Sequence, residues 1–245
     1  TLAVLAALIL SLPESFFAND AVRLSMALGV VGLWRYGWWF VHFIRAQIYA
    51  RIIFPPRRRQ AEQLWKQGWR PRKLHFLMTT FKENRDTTAL VLTSIVNEIR
   101  AVGVPSTLHV GLGDSFDEQV ISEFFAKQGG DLPLEVVMIR QNKPGKRFAL
   151  GLALRAMARA GIGGDDPVVF MDGDSKLEAG CMRRCLPFFA MNKRLQALTT
   201  DEKVIVHGPR WVQHWLDMRF AQRHLAMQSH ALSNKVLTLT GRMSV

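Results

Sequence analysis

The stretch PVVFMDGDSKL, residues 167 to 177, decides how this chain is read. Val168, Val169, Phe170 and Met171 form a short β-branched and aromatic run entered through Pro167, the pattern of a central strand covered on both faces. Two acids, Asp172 and Asp174, follow it with one glycine between them. Strand ends of open α/β sheets are where ligands bind, and two carboxylates this close repel unless a cation or a donor group sits between them. Gly173 lets the backbone turn sharply enough to aim both at one point. Hard oxygen ligands of that kind suit Mg2+ or Mn2+ bound jointly with a phosphate. The same letters also fit a solvated turn, because Asp and Gly favour turns. The rest of the chain has to decide.

Working outward, strand and helix patterns alternate as an α/β sheet requires. LHFLMTTF (74–81), STLHVGLGD (106–114) and LEVVMIR (134–140) read as strands. DTTALVLTSIVNEIRAVG reads as a helix with Asp86 or Thr87 near its N-cap and Gly103 at its end. DEQVISEFFAKQGG is a helix closed by glycines, and GKRFALGLALRAMARAG one with a small apolar face. After the two acids, EAGCMRRCLPFFAMN is a helix that Pro187 ends or kinks.

Polar groups then collect at strand ends on one edge. Thr80, Lys82 and Glu83 follow the first strand, Asp114 ends the second, Lys143 to Arg147 follow the third, and Asp172 and Asp174 end the fourth. Helices begin just beyond, so their N-termini can face a phosphate. NKPGKR (142–147) suits charge compensation of a diphosphate, or equally a solvated basic turn. No G-x-G-x-x-G follows the first strand, and no P-loop is present.

With 245 residues and 49% hydrophobic content the chain can bury a full core, in one large domain plus an appendage. The two cysteines, Cys181 and Cys185, are too few for a disulfide framework and have no companions for zinc. They read as ordinary helix residues. A formal net charge of +12 calls for an anionic partner.

Where the charge lies narrows that partner. TLAVLAALILSL is apolar only to Pro13 and reads as a truncated first membrane span. AVRLSMALGVVGLWRYGWWFVHFI (21–44) has the length of a full span, with Arg35 as its exception and Trp34, Tyr36, Trp38 and Trp39 as an interfacial belt. Arg51, Arg57, Arg58 and Arg59, then Lys66, Arg70, Arg72 and Lys73, form a basic block of the kind that stays cytoplasmic and meets anionic headgroups. Residues 1–56 are thus expected to be a transmembrane and juxtamembrane segment, 57–73 a basic cytoplasmic linker, and 74–245 the catalytic domain. No zinc finger, helix-turn-helix spacing or RNA-binding aromatic signature is present, so no nucleic-acid partner is expected.

An acid after the second strand, a GKR-x-AL turn and helix, and a D-x-D after the fourth strand together resemble the processive family 2 glycosyltransferases. That resemblance implies a GT-A domain, a mixed sheet flanked by helices, preceded by transmembrane helices as in cellulose, chitin and hyaluronan synthases. The segment MRFAQRHLAMQSHALSNKVLTLTGRMSV (218–245), with VGLWRY in the membrane part, is similar to the glycosyltransferase subunits of bacterial alginate (polymannuronate) synthases, over essentially the whole chain. Those are multi-pass enzymes of the bacterial inner membrane with a cytoplasmic catalytic domain. They transfer mannuronate from GDP-mannuronate to a growing β-1,4-linked polysaccharide with inversion, beside membrane lipids and a cyclic-di-GMP-binding co-polymerase subunit.

Carried over by position, the resemblance places Thr80, Glu83, Asp114, Lys146 and Asp172 at the donor nucleotide. It gives Asp174, with Asp172, the Mg2+ or Mn2+, and sets Thr240, Gly241 and Arg242 on the acceptor side. TFKEN departs from the usual proline and aromatic pattern after the first strand. The catalytic base and a Q-x-x-R-W acceptor motif are expected beyond Val245, so the chain corresponds to an N-terminal half whose catalytic domain is incomplete at its C-terminus and binds donor without polymerising. Because the donor sugar is itself acidic, Arg219, Arg223 and His224, like Arg242, are candidates to pair with its carboxylate or with the polymer. RFAQRH fits a membrane-surface helix equally well. The competing readings are a UDP-sugar polysaccharide synthase and a non-catalytic membrane scaffold.

Overall fold

The computed structural model describes residues 7, 11, 20–128, 132–141, 145–204, 208–236 and 243–245. Four strands lie parallel: β1 (Leu74–Thr80), β2 (Ser106–Leu112), β3 (Leu134–Arg140) and β4 (Val168–Asp172). A short β5 (Met243–Ser244) pairs antiparallel with β4, giving a mixed sheet in the order β3-β2-β1-β4-β5. From β1 the chain steps outward to β2 and β3, then returns to place β4 on the other side of β1. The topological switch point therefore lies between β1 and β4, where open α/β sheets hold their ligands.

Both faces of the sheet are covered, as the apolar strand runs require. On one face Phe76, Met78, Leu108, Val110, Val169 and Met171 pack against Val91, Leu92, Ile95 and Ile99 of α3 (Arg85–Val102). On the other, Leu77, Val168 and Phe170 meet Ala153 and Met157 of α5 (Lys146–Arg159). Between these two helices comes α4 (Ser115–Gln128). The cap of α3 is Asn84 rather than Asp86 or Thr87: its side chain accepts from Asp86 N at 2.8 Å, and Gly103 closes the helix in the left-handed conformation at φ 69°. Pro187 divides the next predicted helix into α6 (Cys181–Cys185) and α7 (Pro187–Met191).

N-terminal to the sheet, α1 (Asp20–Ile48), a π-helical turn (Tyr49–Ile53) and α2 (Phe54–Lys66) follow one another without a break. The stretch expected as a basic linker over 57–73 is therefore largely helical, and Trp65 joins the main core. The stretch expected as a span at 21–44 makes up most of α1. Among the described residues no helix is long and apolar enough to cross a membrane. Helix α1 has the length, but Arg35 and the neighbouring indole and phenol rings dilute its apolar average. Leu24, Leu28, Trp34, Trp38 and Phe40 on it are exposed. The truncated first span falls almost wholly outside the described residues.

Helix α8 (Arg210–Ala231) lies along α1 through a polar seam. The Arg45 guanidinium donates to Ser229 Oγ at 3.2 Å, to the Ser229 carbonyl at 3.1 Å and to Ser233 Oγ, while His42 Nδ1 lies 2.7 Å from Ser229 Oγ.

Within the sheet His75 on β1 and His109 on β2 are buried with ring centroids 5.7 Å apart, and among the described residues neither ring nitrogen of either residue is hydrogen-bonded. Burial holds both imidazoles below the ordinary value of 6.5. Lys73 lowers His75 further, Asp166 and Glu135 oppose that, and His75 in turn lowers His109. Asp166 Oδ2, 4.0 Å from His75 Nε2, is shared with Arg72 at 3.5 Å. With the folded-state values depressed, the unfolded chain takes up protons first as pH falls below about 6.5. The contribution of these two rings to stability should therefore be constant above that pH and decline below it, by at most about 1.4 kcal/mol per pH unit for each ring. Urea unfolding at pH 8, 7, 6 and 5 measures this, and His109→Leu should reduce the slope; an equally steep slope in that variant would remove His109 as a cause.

Candidate functional site

At the switch point a cavity of about 320 Å³ opens at the carboxyl ends of β1 and β4. Four elements build it, with Gln141 from the end of β3 beside the following three. The end of β1 supplies Thr79, Thr80, Phe81 and Glu83; the end of β4 supplies Asp172, Gly173 and Asp174; the start of α5 supplies Gly145, Lys146 and Ala149. Register explains the meeting, because Thr79 pairs with Asp172 and Gly173 N donates to the Thr79 carbonyl at 2.9 Å. Close packing of small residues brings α5 down to the same edge: a Cβ on Gly111 of β2 would lie 3.3 Å from Ala149 Cβ.

The N-terminus of α5 has no side-chain cap and no acid in its first turn, which begins with Lys146 and Arg147. Such an end presents the positive end of the helix dipole, and Lys146 adds a cation in the cavity wall, a setting made for an anion. Lys146 Nζ pairs with Asp172 Oδ1. Opposite it, burial and then the carboxylates Asp174, Asp117 and Asp172 push Glu83 above its ordinary value. Negative charge thus gathers on the β1 and β4 side of the cavity and positive charge on the α5 side.

Two polar atoms in the wall are buried without a partner among the described residues, Thr80 Oγ1 and Gln141 Oε1. A native interior rarely leaves such groups unsatisfied, and a ligand is one way to complete them. The loop after β1 is held from beneath. Lys82 adopts a left-handed φ of 53°, and its N–H donates at 2.8 Å to Asp117 Oδ2, a carboxylate only 1% exposed on α4. This bond turns the chain so that Phe81 and Glu83 face the cavity.

The cavity walls therefore bring together Thr80, Glu83, Lys146, Asp172 and Asp174 among the sequence candidates. Asp114 stands outside them: its Oδ1 accepts from Phe116 N at 2.9 Å, opening α4, and its Oδ2 lies 3.8 Å from Lys82 Nζ. Arg223 and His224 on α8 are engaged by Glu202, Arg223 donating to its carboxylate at 3.3 Å and His224 Nε2 accepting from its backbone N–H at 3.1 Å. Arg219 lies over the Trp215 ring at 5.0 Å. Thr240, Gly241 and Arg242 lie outside the described residues.

Gln141, Phe81 and Asp117 were not singled out from the sequence. Gln141 follows β3 directly, so its place at a strand end was the available signal. Asp117 offered none, because an acid in the first turn of a helix has an ordinary role there.

The sequence profile described as glycosyltransferase like family 2 matches residues 71–245. The chain belongs to that family. Among curated relatives, this family member is 34% identical to glycosyltransferase alg8 of Pseudomonas syringae pv. tomato, over 100% of the chain and 49% of the relative. It is 32% identical to glycosyltransferase alg8 of Azotobacter vinelandii, over 96% of the chain and 48% of the relative. The chain thus spans about half the length of the curated relatives it matches. A solved mannosyltransferase from Pyrobaculum calidifontis, in complex with GDP-Man and Mn2+, is 18% identical with a TM-score of 0.41, covering 64% of this chain and 46% of that one. The family profile begins within three residues of β1 and takes in the whole sheet, so the α/β fold is that of the family's glycosyltransferase domain.

Among the described residues no three His, Cys, Asp or Glu side chains form a cluster able to hold a metal by themselves. The donor set fits a divalent ion in another way. Mg2+ and its like are commonly bound by one or two carboxylates and completed by substrate phosphates. Asp174 is exposed at the cavity, where its Oδ1 accepts from Ser175 Oγ at 3.4 Å, and Asp172 lies across Gly173 from it.

Proposed function

We propose that the chain is the donor-binding half of an inverting, processive glycosyltransferase that polymerises mannuronate from GDP-mannuronate into the β-1,4-linked chain of alginate. The observation that carries this reading is the meeting of Asp172, Asp174, Glu83 and Lys146 with an uncapped, basic helix N-terminus at one switch point. Such a site holds a nucleoside diphosphate end-on. Lys146, Arg147 and the first N–H groups of α5 face its phosphates, Thr80 and Gln141 offer polar atoms to the nucleotide, and the Phe81 ring forms an apolar wall. A divalent ion at Asp174, with Asp172, supplies charge neutralisation of the diphosphate leaving group. The residues here bind and orient the donor; the base that takes the acceptor proton lies outside this set.

The donor sugar adds a carboxylate; with Arg223 paired to Glu202, Arg219 is the candidate proposed for it. Membrane attachment belongs to the same proposal. The exposed apolar side chains of α1 meet lipid and the arginines of α2 meet anionic headgroups, which holds the sheet at the cytoplasmic face of a bacterial inner membrane. A cyclic-di-GMP-binding co-polymerase is the proposed partner.

The test is competition at the donor site. Calorimetry on the full chain in Mn2+ should give GDP binding at least tenfold tighter than UDP. Equal affinities would replace the alginate reading by that of a synthase using a UDP-sugar, and binding of neither nucleotide would favour a non-catalytic scaffold.

A further inference from the structure

The loop that carries Asp174 is anchored on both sides, and the two anchors differ in kind. Toward the N-terminus the backbone of β1 holds it, through Gly173 N to the Thr79 carbonyl at 2.9 Å. Toward the C-terminus the holding groups are side chains of α3. Ser94 and Glu98 lie one helical turn apart, 6% and 3% exposed, on the helix face turned toward this loop. Ser94 Oγ accepts from Leu177 N at 3.1 Å while donating to the Val91 carbonyl at 2.7 Å. The Glu98 carboxylate accepts from Gly180 N at 2.5 Å and from Met182 N at 2.8 Å. Three backbone N–H groups within residues 177–182 are therefore fixed from a helix more than 80 positions away in sequence.

A buried carboxylate is a costly choice for a core position unless its lone pairs are satisfied. Among the described residues Glu98 is met by backbone N–H groups at the start of α6 and by no Lys or Arg side chain. A Leu or Met at this position would pack as well, and would leave those N–H groups unanswered. What the carboxylate supplies is geometry: Gly180, left-handed at φ 75°, and Met182 are held against α3, so the few residues back to Asp174 span a fixed distance.

We infer that Glu98, assisted by Ser94, is a positioning residue for the metal-binding carboxylate Asp174. It touches neither donor nor metal and acts by setting where the Asp174 loop ends. This rests on the donor-site reading above, and the test separates the two. On the full chain, GDP affinity is measured with and without Mn2+, and the ratio of the two is the metal gain. Alongside the wild type stand Glu98→Ala, Glu98→Gln, Ser94→Ala, Asp174→Asn and, on the exposed face of α3, Thr93→Ala. All are measured well below their unfolding midpoints.

Glu98→Ala is expected to cut the metal gain about tenfold while Mn2+-free GDP affinity stays within about twofold. Glu98→Gln, which keeps one acceptor oxygen, should recover part of the gain, and Thr93→Ala should retain it all. A Glu98→Ala chain that is less stable but keeps the full metal gain would overturn the inference, as would an equal fall in both affinities. If Glu98→Ala does not fold, Glu98→Gln and Ser94→Ala decide, and an undiminished gain in both rejects the role. A gain lost in Asp174→Asn but kept in the Glu98 variants sinks the positioning role alone. A gain kept in Asp174→Asn removes the site reading, and this inference with it.

Discussion

Asp174→Asn should abolish the metal dependence of GDP binding, lowering affinity in Mn2+ by about a hundredfold, or ~2.8 kcal/mol at ~1.4 kcal/mol per tenfold. The argument is one of charge. Asp172 is already answered by Lys146, whereas among the described residues Asp174 accepts a hydrogen bond from the Ser175 hydroxyl and is paired with no cation. Its negative charge therefore remains available to a cation that also meets the diphosphate. Removing the carboxylate or removing the ion breaks the same three-way contact, so the two losses should be of similar size and should not add. Calorimetry in a two-by-two design, wild type and variant with and without Mn2+, measures this. Tight, Mn2+-dependent binding that survives the substitution would exclude Asp174 as the ligand.

Gly173→Ala is the second large effect, and it reaches stability as well as binding. A Cβ at this position would stand 3.0 Å from the Thr79 carbonyl oxygen, 3.0 Å from Thr80 Cβ and 3.2 Å from Thr80 Cα. Two of these three atoms are backbone and cannot rotate away. The end of β4 must move off β1, and the cavity lies between those two ends. Overpacking of this kind costs about 1–3 kcal/mol. Because Asp172 and Asp174 flank the displaced residue, metal-dependent GDP binding should fall at least as far as in Asp174→Asn. Gly151, inside α5 with nothing within 4 Å of its added Cβ, is the matched control. Gly151→Ala should stabilise the chain by about 0.5–1 kcal/mol through helix propensity and leave GDP binding unchanged. Urea unfolding and calorimetry on both variants supply the comparison, and a Gly173→Ala chain as stable and as Mn2+-dependent as wild type would rule out the close approach of β4 to β1.

What could be read in advance follows the range of the physics. The four parallel strands were legible because each is a short apolar run closed by turn residues, and their observed ends fall within a residue or two of those expected. The acids of the cavity were legible because the sheet topology gathers strand ends. Contacts made by unrelated parts of the chain were not. Arg223 and His224 look free on their own helix, and only the fold brings Glu202 to them. Glu98 sits in NEIR, a stretch whose polar letters suggest an outer helix face, yet it is buried beneath α6. The reading of 21–44 as a span used local apolarity, and among the described residues no helix is long and apolar enough to cross a membrane. His75 and His109 gave no warning either, since a lone His within an apolar strand says nothing of its partner on the next.

The unbroken helical run from Asp20 to Lys66 has a mechanical consequence. A loop between α1 and α2 would absorb a twist or a tilt of α1 as a change of backbone angles, and the motion would end there. The π turn at Tyr49–Ile53 is still hydrogen-bonded helix, so torque on α1 is delivered to α2 and through Trp65 to the interior beneath the sheet. A second output leaves through the Arg45 and His42 seam to α8, whose Arg223 and His224 grip Glu202. Helix α1 is thereby tied both to the core and, through α8, to the segment around Glu202, so a displacement of α1 that keeps these contacts must carry both with it.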